Sequence, residues 1–215
     1  MIPKNYDLKK ATSHLTSVDA DWAWLINTVG PCTFEPKSER EPYEALIRAV
    51  AYQQLHAKAG DAILGKFIKL FSEIDFGHAT EFQFPGPEQV MAAEFDDLRA
   101  CGFSARKIET LKGIAEGALN GLVPSRNDAN AMADEDLIQR LVALKGIGRW
   151  TVEMLLMFTL ARMDILPADD FGIVEGYKRL KKLDTAPKRK EITEIGKAWS
   201  PYRTVASWYL WRVPK

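Results

Sequence analysis

Apolar residues recur three or four positions apart along almost the whole chain, and this spacing constrains the fold more than any other feature of the sequence. Leu46, Ile47 and Val50 follow Tyr43 in this way, as residues do on the buried face of an α-helix. No long stretch alternates between apolar and polar residues, which is the pattern of a half-buried strand. The sequence therefore predicts an all-α fold.

Glycine, proline and capping residues divide this pattern into separate helices. We expect one helix to end at about Leu55 and a later, strongly apolar helix to end at Met163. Asp169 or Asp170 is expected to cap the helix after that, because an Asp side chain accepts hydrogen bonds from first-turn N–H groups. The stretches 31–41 and 72–87 are rich in proline or glycine and predict loops.

The charges are balanced in number and uneven along the chain. The sequence has 29 Lys and Arg against 29 Asp and Glu, whereas proteins that bind DNA are often basic. Residues 171–215 carry eleven basic and four acidic residues, a net charge of +7, and residues 1–170 carry −7. Such an asymmetry indicates either a side that faces a polyanion or an ordinary solvated surface.

Two cysteines and the hydropathy pattern exclude several classes of protein. Cys32 and Cys101 are too few for a disulfide framework or for an iron–sulfur cluster with four thiolate ligands. No apolar run reaches the ~18 residues that a membrane-spanning helix needs, and no secretory signal is visible at the N-terminus. We therefore expect a cytoplasmic protein without a membrane segment.

The turn Lys145-Gly146-Ile147-Gly148 lies between two apolar helices and is the most informative motif. Its two glycines allow a tight turn, and successive N–H groups at the start of the next helix can bind an anion such as a DNA phosphate. Lys145 and Arg149 would add positive charge, and Thr151 follows in the first turn of the helix. The alternative is an ordinary turn between helices.

These residues resemble a known family. Leu144–Thr151 is similar to the helix-hairpin-helix of the HhH-GPD superfamily of DNA glycosylases, and Ile165–Asp170 resembles the loop that carries the family's carboxylate. The branch it resembles most is that of 3-methyladenine DNA glycosylase II, and the likeness extends over roughly 40–213. It implies two helical lobes with an active-site cleft between them, and a compact form without an N-terminal β domain. The lobes are expected at about 45–165 and at about 1–44 with 166–215.

By the family pattern, Asp170 is the catalytic carboxylate, and Asp169 is then the expected helix cap. Breaking an N-glycosidic bond builds positive charge on the deoxyribose, which a carboxylate near the anomeric carbon stabilises. In lyase members of the superfamily, the position two after the second hairpin glycine is a lysine nucleophile, and here it is Trp150. The resemblance therefore implies a monofunctional hydrolase.

Aromatic side chains are expected to bind the damaged base. Trp150 and, by the resemblance of the C-terminal helix, Trp211 are the expected pocket residues; an indole attracts a purine made cationic by alkylation, with about 0.5–2 kcal/mol of cation–π energy. The alternative for Trp211 is a core position, because it lies at helical spacing from Trp208. Trp208 and Tyr43 face either the pocket or the core.

A base must leave the duplex before it can be excised, and a side chain must fill the gap. The resemblance places this wedge at Leu55 or His56, with Gln53 and Gln54 beside it.

The resemblance also implies the partners of the protein. We expect a monomer acting on double-stranded DNA at the nucleoid, with no cofactor beyond a sodium or potassium ion on the carbonyls of Val142, Leu144 and Ile147. The expected substrates are alkylated purines of the 3-methyladenine and 7-methylguanine type. Two alternatives stay open: a glycosylase for deaminated or oxidised bases, and a helix-hairpin-helix module that binds DNA without catalysis.

Overall fold

The computed structural model describes residues 7–37, 39–72 and 84–214 of the 215-residue chain. These residues form thirteen α-helices and one 3₁₀ turn, and no strand occurs among them. The predicted all-α class is therefore confirmed. None of the helices described is both long and apolar enough to cross a bilayer. Most of the predicted loop at 72–87 lies outside the described residues.

The chain divides into two compact units. The terminal unit combines Met1–Ser38 with Leu156–Lys215, and the central unit is the continuous segment Glu39–Leu155. The lobe boundaries expected from the sequence, at about 45 and 165, lie further along the chain than these divisions. Helix α10, Arg149–Phe158, begins in the central unit and ends in the terminal unit.

The central unit is built around α7. Its helices before α10 are α3 Pro42–Tyr52, α4 Ala57–Ser72, α5 Pro87–Ala92, α6 Phe95–Cys101, α7 Ala105–Leu119, α8 Arg126–Ala131 and α9 Asp134–Leu141. Helix α7 packs against both α3 and α5, and α4 packs against α3 and α6. Phe67 contacts Phe71 and Phe103 edge-on, at ring centroid distances of 5.2 and 5.6 Å.

The terminal unit packs aromatic side chains from both ends of the chain. It contains α1 Leu8–Thr16, α2 Ala20–Val29, α11 Phe171–Leu180, α12 Arg189–Ile195, the 3₁₀ turn Gly196–Trp199 and α13 Arg203–Leu210. Trp22 and Trp199 are fully buried and meet edge-on at 5.3 Å between ring centroids. The Tyr209 hydroxyl donates to the Gly30 carbonyl at 3.0 Å. Helix α13 is thereby fixed against the end of α2.

Two helices end earlier than the sequence predicts. Helix α3 ends at Tyr52, because Gln53 adopts an extended ψ of 127° and Gln54 a left-handed φ of 59°. Helix α10 ends at Phe158 rather than Met163. Ala161 is left-handed, and the Arg162 N–H reaches back six residues to the Leu156 carbonyl at 2.9 Å, one of the last-turn carbonyls that have no partner within the helix.

Candidate functional site

The turn between α9 and α10, residues 142–148, needs a glycine at one of its two glycine positions. Gly146 has a φ of 88°, a region that strains residues with a Cβ. A Cβ on Gly146 would also clash with the Thr110 side chain of α7. This turn, which we call the hairpin turn, is therefore shaped by Gly146 and fitted closely to α7.

Gly148 is different, because nothing in the described chain requires a glycine there. Its φ is not left-handed, and a Cβ built on it would meet no atom within 4 Å. Nor, as far as the structure describes the chain, do the backbone N–H groups of Gly146, Gly148 and Arg149 donate a hydrogen bond. Open space beside unused N–H groups at a helix start is suited to an anion.

The positive charges beside the hairpin turn are paired with carboxylates. The Lys145 ammonium lies 2.7 Å from Glu109, whose pKa this hydrogen bond lowers. The Arg149 guanidinium binds both oxygens of Glu135 at 2.8 and 2.9 Å, and it binds the buried Glu153 at 2.9 Å. These hydrogen bonds, first that to Glu135, raise the pKa of Arg149. The backbone N–H groups are therefore the donors that the turn itself leaves for a ligand.

The other predicted hairpin residues divide into buried and exposed side chains. Leu144, Ile147 and Thr151 are buried, and the Thr151 N–H donates to the Gly148 carbonyl at 3.0 Å. Trp150 stands in the first turn of α10 with 44 % of its surface exposed. Of these side chains, Trp150 is accessible to a ligand.

The predicted wedge residues lie in the loop between α3 and α4, residues 53–56, which we call the α3–α4 loop. Leu55 is 40 % exposed, and Gln54 is also exposed. His56 stands directly before α4, where its Nδ1 lies 3.3 Å from the Ala59 N–H in the geometry of an acceptor. Gln53 is half-buried and its side-chain amide donates to the Gly146 carbonyl at 3.2 Å. The loop therefore touches the hairpin turn.

Asp170 is the N-cap of α11. Its Oδ1 accepts hydrogen bonds from the Ile173 N–H at 2.9 Å and from the Trp211 indole N–H at 2.7 Å. The close approach of Trp211 needs Gly172, where a Cβ would lie 2.7 Å from the Trp211 Cδ1. One oxygen of the half-buried carboxylate is thus fixed by two donors.

The prediction that Asp169 caps this helix was wrong. Asp169 is exposed and forms an ion pair with Arg189 at 3.2 Å, while Asp170 makes the capping hydrogen bond. The cap falls on Asp170 because α11 begins at Phe171, one residue later than the sequence suggested.

Two aromatic residues near Asp170 were missed from the sequence. Phe158, at the end of α10, stacks on Trp211 with ring centroids 6.1 Å apart and planes 24° apart. Phe171 is 79 % exposed, immediately after the carboxylate. Phe171 could have been found from the sequence, because it directly follows Asp170. Phe158 could not, because its contact with Trp211 joins residues far apart in the sequence.

The remaining predicted pocket residues have partners of their own. Trp208 is buried, with the Arg212 guanidinium 3.7 Å from its ring centroid. Tyr43 is half-buried, donates to the Pro85 carbonyl at 3.2 Å and contacts Phe84 edge-on. Burial raises the pKa of the Tyr43 hydroxyl. Both side chains have the environment of packing residues.

The basic C-terminal segment, residues 171–215, is partly neutralised in the fold. Lys181 binds Asp19 and Asp21, both at 2.7 Å, and Arg203 binds Asp164 at 2.7 Å. Despite the burial of Asp164, its hydrogen bonds from Arg203 and Ser200 lower its pKa. The acidic partners come from the part of the chain that carries the net negative charge, so the asymmetry along the sequence is smaller at the surface.

No group of three or more His, Cys, Asp or Glu side chains within 7–37, 39–72 and 84–214 could hold a metal ion. The predicted cation ligands are carbonyl oxygens, which suit hard cations. The Leu144 carbonyl accepts from the Ile147 N–H at 3.0 Å. For Val142 and Ile147, no hydrogen bond to the carbonyl is found within the described residues.

The chain is similar to known proteins over most of its length. A family model described as HhH-GPD superfamily base excision DNA repair protein matches residues 47–201. The DNA-3-methyladenine glycosylase 1 of Schizosaccharomyces pombe is 45 % identical, over 97 % of this chain and 88 % of that protein. The alkylbase DNA glycosidase-like protein mag2 of the same yeast is 41 % identical, over 99 % and 96 %.

Solved structures agree with the sequence comparison. The S. pombe 3-methyladenine DNA glycosylase in complex with abasic DNA superposes with a TM-score of 0.82, covering 94 % of this chain and 95 % of that one at 45 % identity. A DNA-3-methyladenine glycosidase from Bacillus halodurans gives a TM-score of 0.80 at 32 % identity, covering 94 % and 88 %.

Proposed function

Because the chain belongs to the HhH-GPD superfamily of base excision DNA repair proteins, we propose that it is a monofunctional DNA glycosylase for alkylated purines. It hydrolyses the N-glycosidic bond of 3-methyladenine and 7-methylguanine type lesions after flipping the base out of the duplex. The observation that carries this proposal is the Asp170 carboxylate, fixed at Oδ1 by Trp211 and by the Ile173 N–H.

Asp170 stabilises the charge that develops on the sugar. The bond between C1′ and the purine nitrogen breaks, and its electron pair neutralises the cationic base, which leaves. Water then forms a bond to C1′ and gives up its proton, so the products are a free base and an abasic site. A carboxylate held in place stabilises the oxocarbenium-like transition state and can orient the water.

The aromatic residues select the substrate. Trp211 is held against Phe158 and bonded to Asp170, and Trp150 is exposed at the start of α10. Stacking on indole favours a cationic purine over a neutral one. Trp150 stands where lyase relatives carry their lysine nucleophile, so the reaction is a direct hydrolysis. Trp208 and Tyr43 serve mainly in packing.

The hairpin turn holds the DNA backbone and the α3–α4 loop fills the gap left by the flipped base. A phosphate is bound by the N–H groups of Gly146, Gly148 and Arg149, because Lys145 and Arg149 are already paired with carboxylates. Such contacts position a protein without reading sequence. Leu55 is the wedge, since it is apolar and exposed while the His56 ring caps α4.

The proposal includes the setting of the reaction. A sodium or potassium ion would be held by the carbonyls of Val142, Leu144 and Ile147, where it would add positive charge near the phosphate. The protein acts as a monomer in the cytoplasm, at the nucleoid. Its two cysteines, Cys32 and Cys101, are buried free thiols, consistent with a reducing compartment.

Base release from methylated duplex DNA tests the proposal. We expect the wild type to release 3-methyladenine and 7-methylguanine, and Asp170→Asn to release them more slowly by a factor of about 100 or more. The Asn carbonyl oxygen can still accept from Ile173 and Trp211, so folding should be retained. Equal rates for the two proteins would disprove the role of Asp170.

Two further outcomes separate the alternatives. DNA binding without release of any base would indicate a binding module, and release confined to deaminated or oxidised bases would change the lesion class. A covalent adduct with DNA after borohydride reduction would disprove the monofunctional mechanism, because that reagent traps a Schiff base.

A further inference from the structure

The α3–α4 loop holds a conformation that its own residues do not favour. Gln54 is left-handed, with a φ of 59°, and glutamine has neither the freedom of glycine nor the local hydrogen bonding of asparagine. Such a residue persists only when the surrounding structure fixes it. Leu55 follows it directly and is exposed. The position of Leu55 therefore depends on whatever fixes the loop.

A lysine of α7 fixes the start of this loop. The Lys107 ammonium donates to the Ala51 carbonyl at 3.1 Å and to the Gln53 carbonyl at 2.9 Å. The last carbonyls of a helix have no partner within it and carry its negative dipole, so an ammonium there is favourable. Lys107 is half-buried, and burial lowers its pKa. Nothing in the sequence pattern pairs this lysine with residues more than 50 positions earlier.

The same helix also contacts the hairpin turn. Thr110, one turn after Lys107, lies against Gly146, and Glu109 binds Lys145. Gln53 completes the connection by donating to the Gly146 carbonyl. Helix α7 thus contacts the exposed loop at one position and the hairpin turn at the next turn of the same helix.

We propose that Lys107 is a positioning residue for base flipping. This inference rests on the proposed function. Lys107 fixes the α3–α4 loop to α7, and so to the hairpin turn, so that Leu55 is already in register when the turn binds a phosphate. Without Lys107, the loop would become ordered only as the base flips, and flipping would bear the entropy cost of that ordering. The fraction of bound DNA with the base extruded would therefore be lower.

The chain contains a matched control on the same helix. The Lys112 ammonium donates to the Met91 and Ala93 carbonyls, at 3.1 and 2.7 Å, and so fixes the end of α5. Lys112→Met also removes an ammonium that donates to carbonyls at a helix end, but at another helix. Comparing Lys107→Met with Lys112→Met therefore separates loop positioning from the general loss of a lysine that binds carbonyls.

The experiment measures single-turnover release of one 7-methylguanine from duplex DNA. One duplex places the lesion opposite cytosine, and the other places it opposite an abasic site, where less pairing energy is lost on flipping. We expect Lys107→Met to slow release opposite cytosine about tenfold and opposite the abasic site at most about twofold. Lys112→Met should match the wild type on both, while both variants keep their affinity for undamaged DNA within about twofold.

The outcomes are distinguishable from failure of the proposed function. If the wild type releases no 7-methylguanine from either duplex, the proposed function itself is wrong. If the wild type is active and Lys107→Met slows both duplexes equally, or behaves as Lys112→Met does, the inference about Lys107 is wrong. Should Lys107→Met fail to fold, Lys107→Gln keeps amide N–H donors on a shorter, neutral side chain and should show a smaller loss, about threefold, confined to the paired lesion. An unchanged rate in Lys107→Gln and an equal loss on both duplexes would each contradict the inference.

Discussion

The start of α11, where Asp170 lies, and the hairpin turn before α10 use their residues in opposite ways. At Asp170, one oxygen caps the helix and also belongs to the candidate catalytic group, so structure and chemistry share a side chain. At the hairpin turn the two requirements fall on different residues. The fold requires Gly146, and nothing in the described chain requires Gly148 to be a glycine. At the turn, one substitution should therefore affect mainly stability and another mainly DNA binding. At Asp170, removal of the side chain should affect stability and catalysis together.

The largest effect is expected from Asp170→Ala, which removes the carboxylate and the cap together. We expect base release to fall about 100-fold or more, as for Asp170→Asn, because the charge on the sugar is no longer stabilised. Unlike Asp170→Asn, the alanine variant should also lose about 1–2 kcal/mol of unfolding free energy, since the Ile173 and Trp211 N–H groups lose their acceptor. Urea denaturation of the two variants measures the difference. Equal stabilities would show that the cap contributes nothing.

Gly146→Ala is expected to affect stability first. The left-handed φ and the contact with Thr110 together should cost about 2–4 kcal/mol of unfolding free energy. DNA affinity should fall as a consequence of the distorted turn. Thermal and urea unfolding give the measurement. Adding Thr110→Ala should restore part of the loss by making room, and no recovery would mean that the backbone conformation alone accounts for the effect.

Gly148→Ala should weaken DNA binding and leave stability nearly unchanged, the opposite of Gly146→Ala. Its added Cβ meets nothing in the described chain, so unfolding free energy should change by less than about 0.5 kcal/mol. DNA affinity should fall about tenfold, because the methyl group would keep a phosphate from one of the N–H groups. Fluorescence anisotropy with undamaged duplex measures this. A variant that binds as tightly as the wild type would contradict close approach of DNA at this position.

The smallest effect is expected from Glu109→Gln, which releases Lys145 from its ion pair. Both groups are exposed, so stability should not change measurably. DNA affinity should rise about two- to threefold, and the dependence of log affinity on log salt should steepen by about 0.9, as one further phosphate contact forms. The double variant with Glu109→Gln and Lys145→Gln is the control, since without the ammonium neither the affinity nor the salt dependence should rise. An unchanged salt dependence in Glu109→Gln would show that Lys145 does not reach DNA.

Patterns within short stretches of sequence were sufficient to predict the fold class and the hairpin turn. Helical spacing predicted the all-α class, and Gly146 with Gly148 marked the hairpin turn; the family comparison confirms the resemblance built on them. The capping residue was misassigned, because Asp169 and Asp170 are equally good caps and the first residue of α11 decides between them. Local patterns identify a motif and leave its exact boundaries to the packing around it.

Contacts between distant residues could not be predicted in this way. Glu109 of α7 pairs with Lys145 and Glu135 of α9 pairs with Arg149, so the charge at the turn depends on how these helices pack. The same holds for Phe158 beside Trp211 and for Lys107 at the end of α3. No periodicity or spacing connects these residues. These contacts depend on the tertiary structure, and so do the electrostatics of the site.

The division of the chain into units has a consequence for its synthesis on the ribosome. The central unit is one uninterrupted segment, whereas the terminal unit joins Met1–Ser38 to Leu156–Lys215. Residues of α1 and α2 must therefore wait for partners that are translated on the order of ten seconds later. During that interval Trp22 has no Trp199 to pack against, so the nascent chain carries exposed apolar surface that a chaperone can bind. The hairpin turn can form in this time, and the environment of Asp170 is completed last, when Trp211 leaves the ribosome.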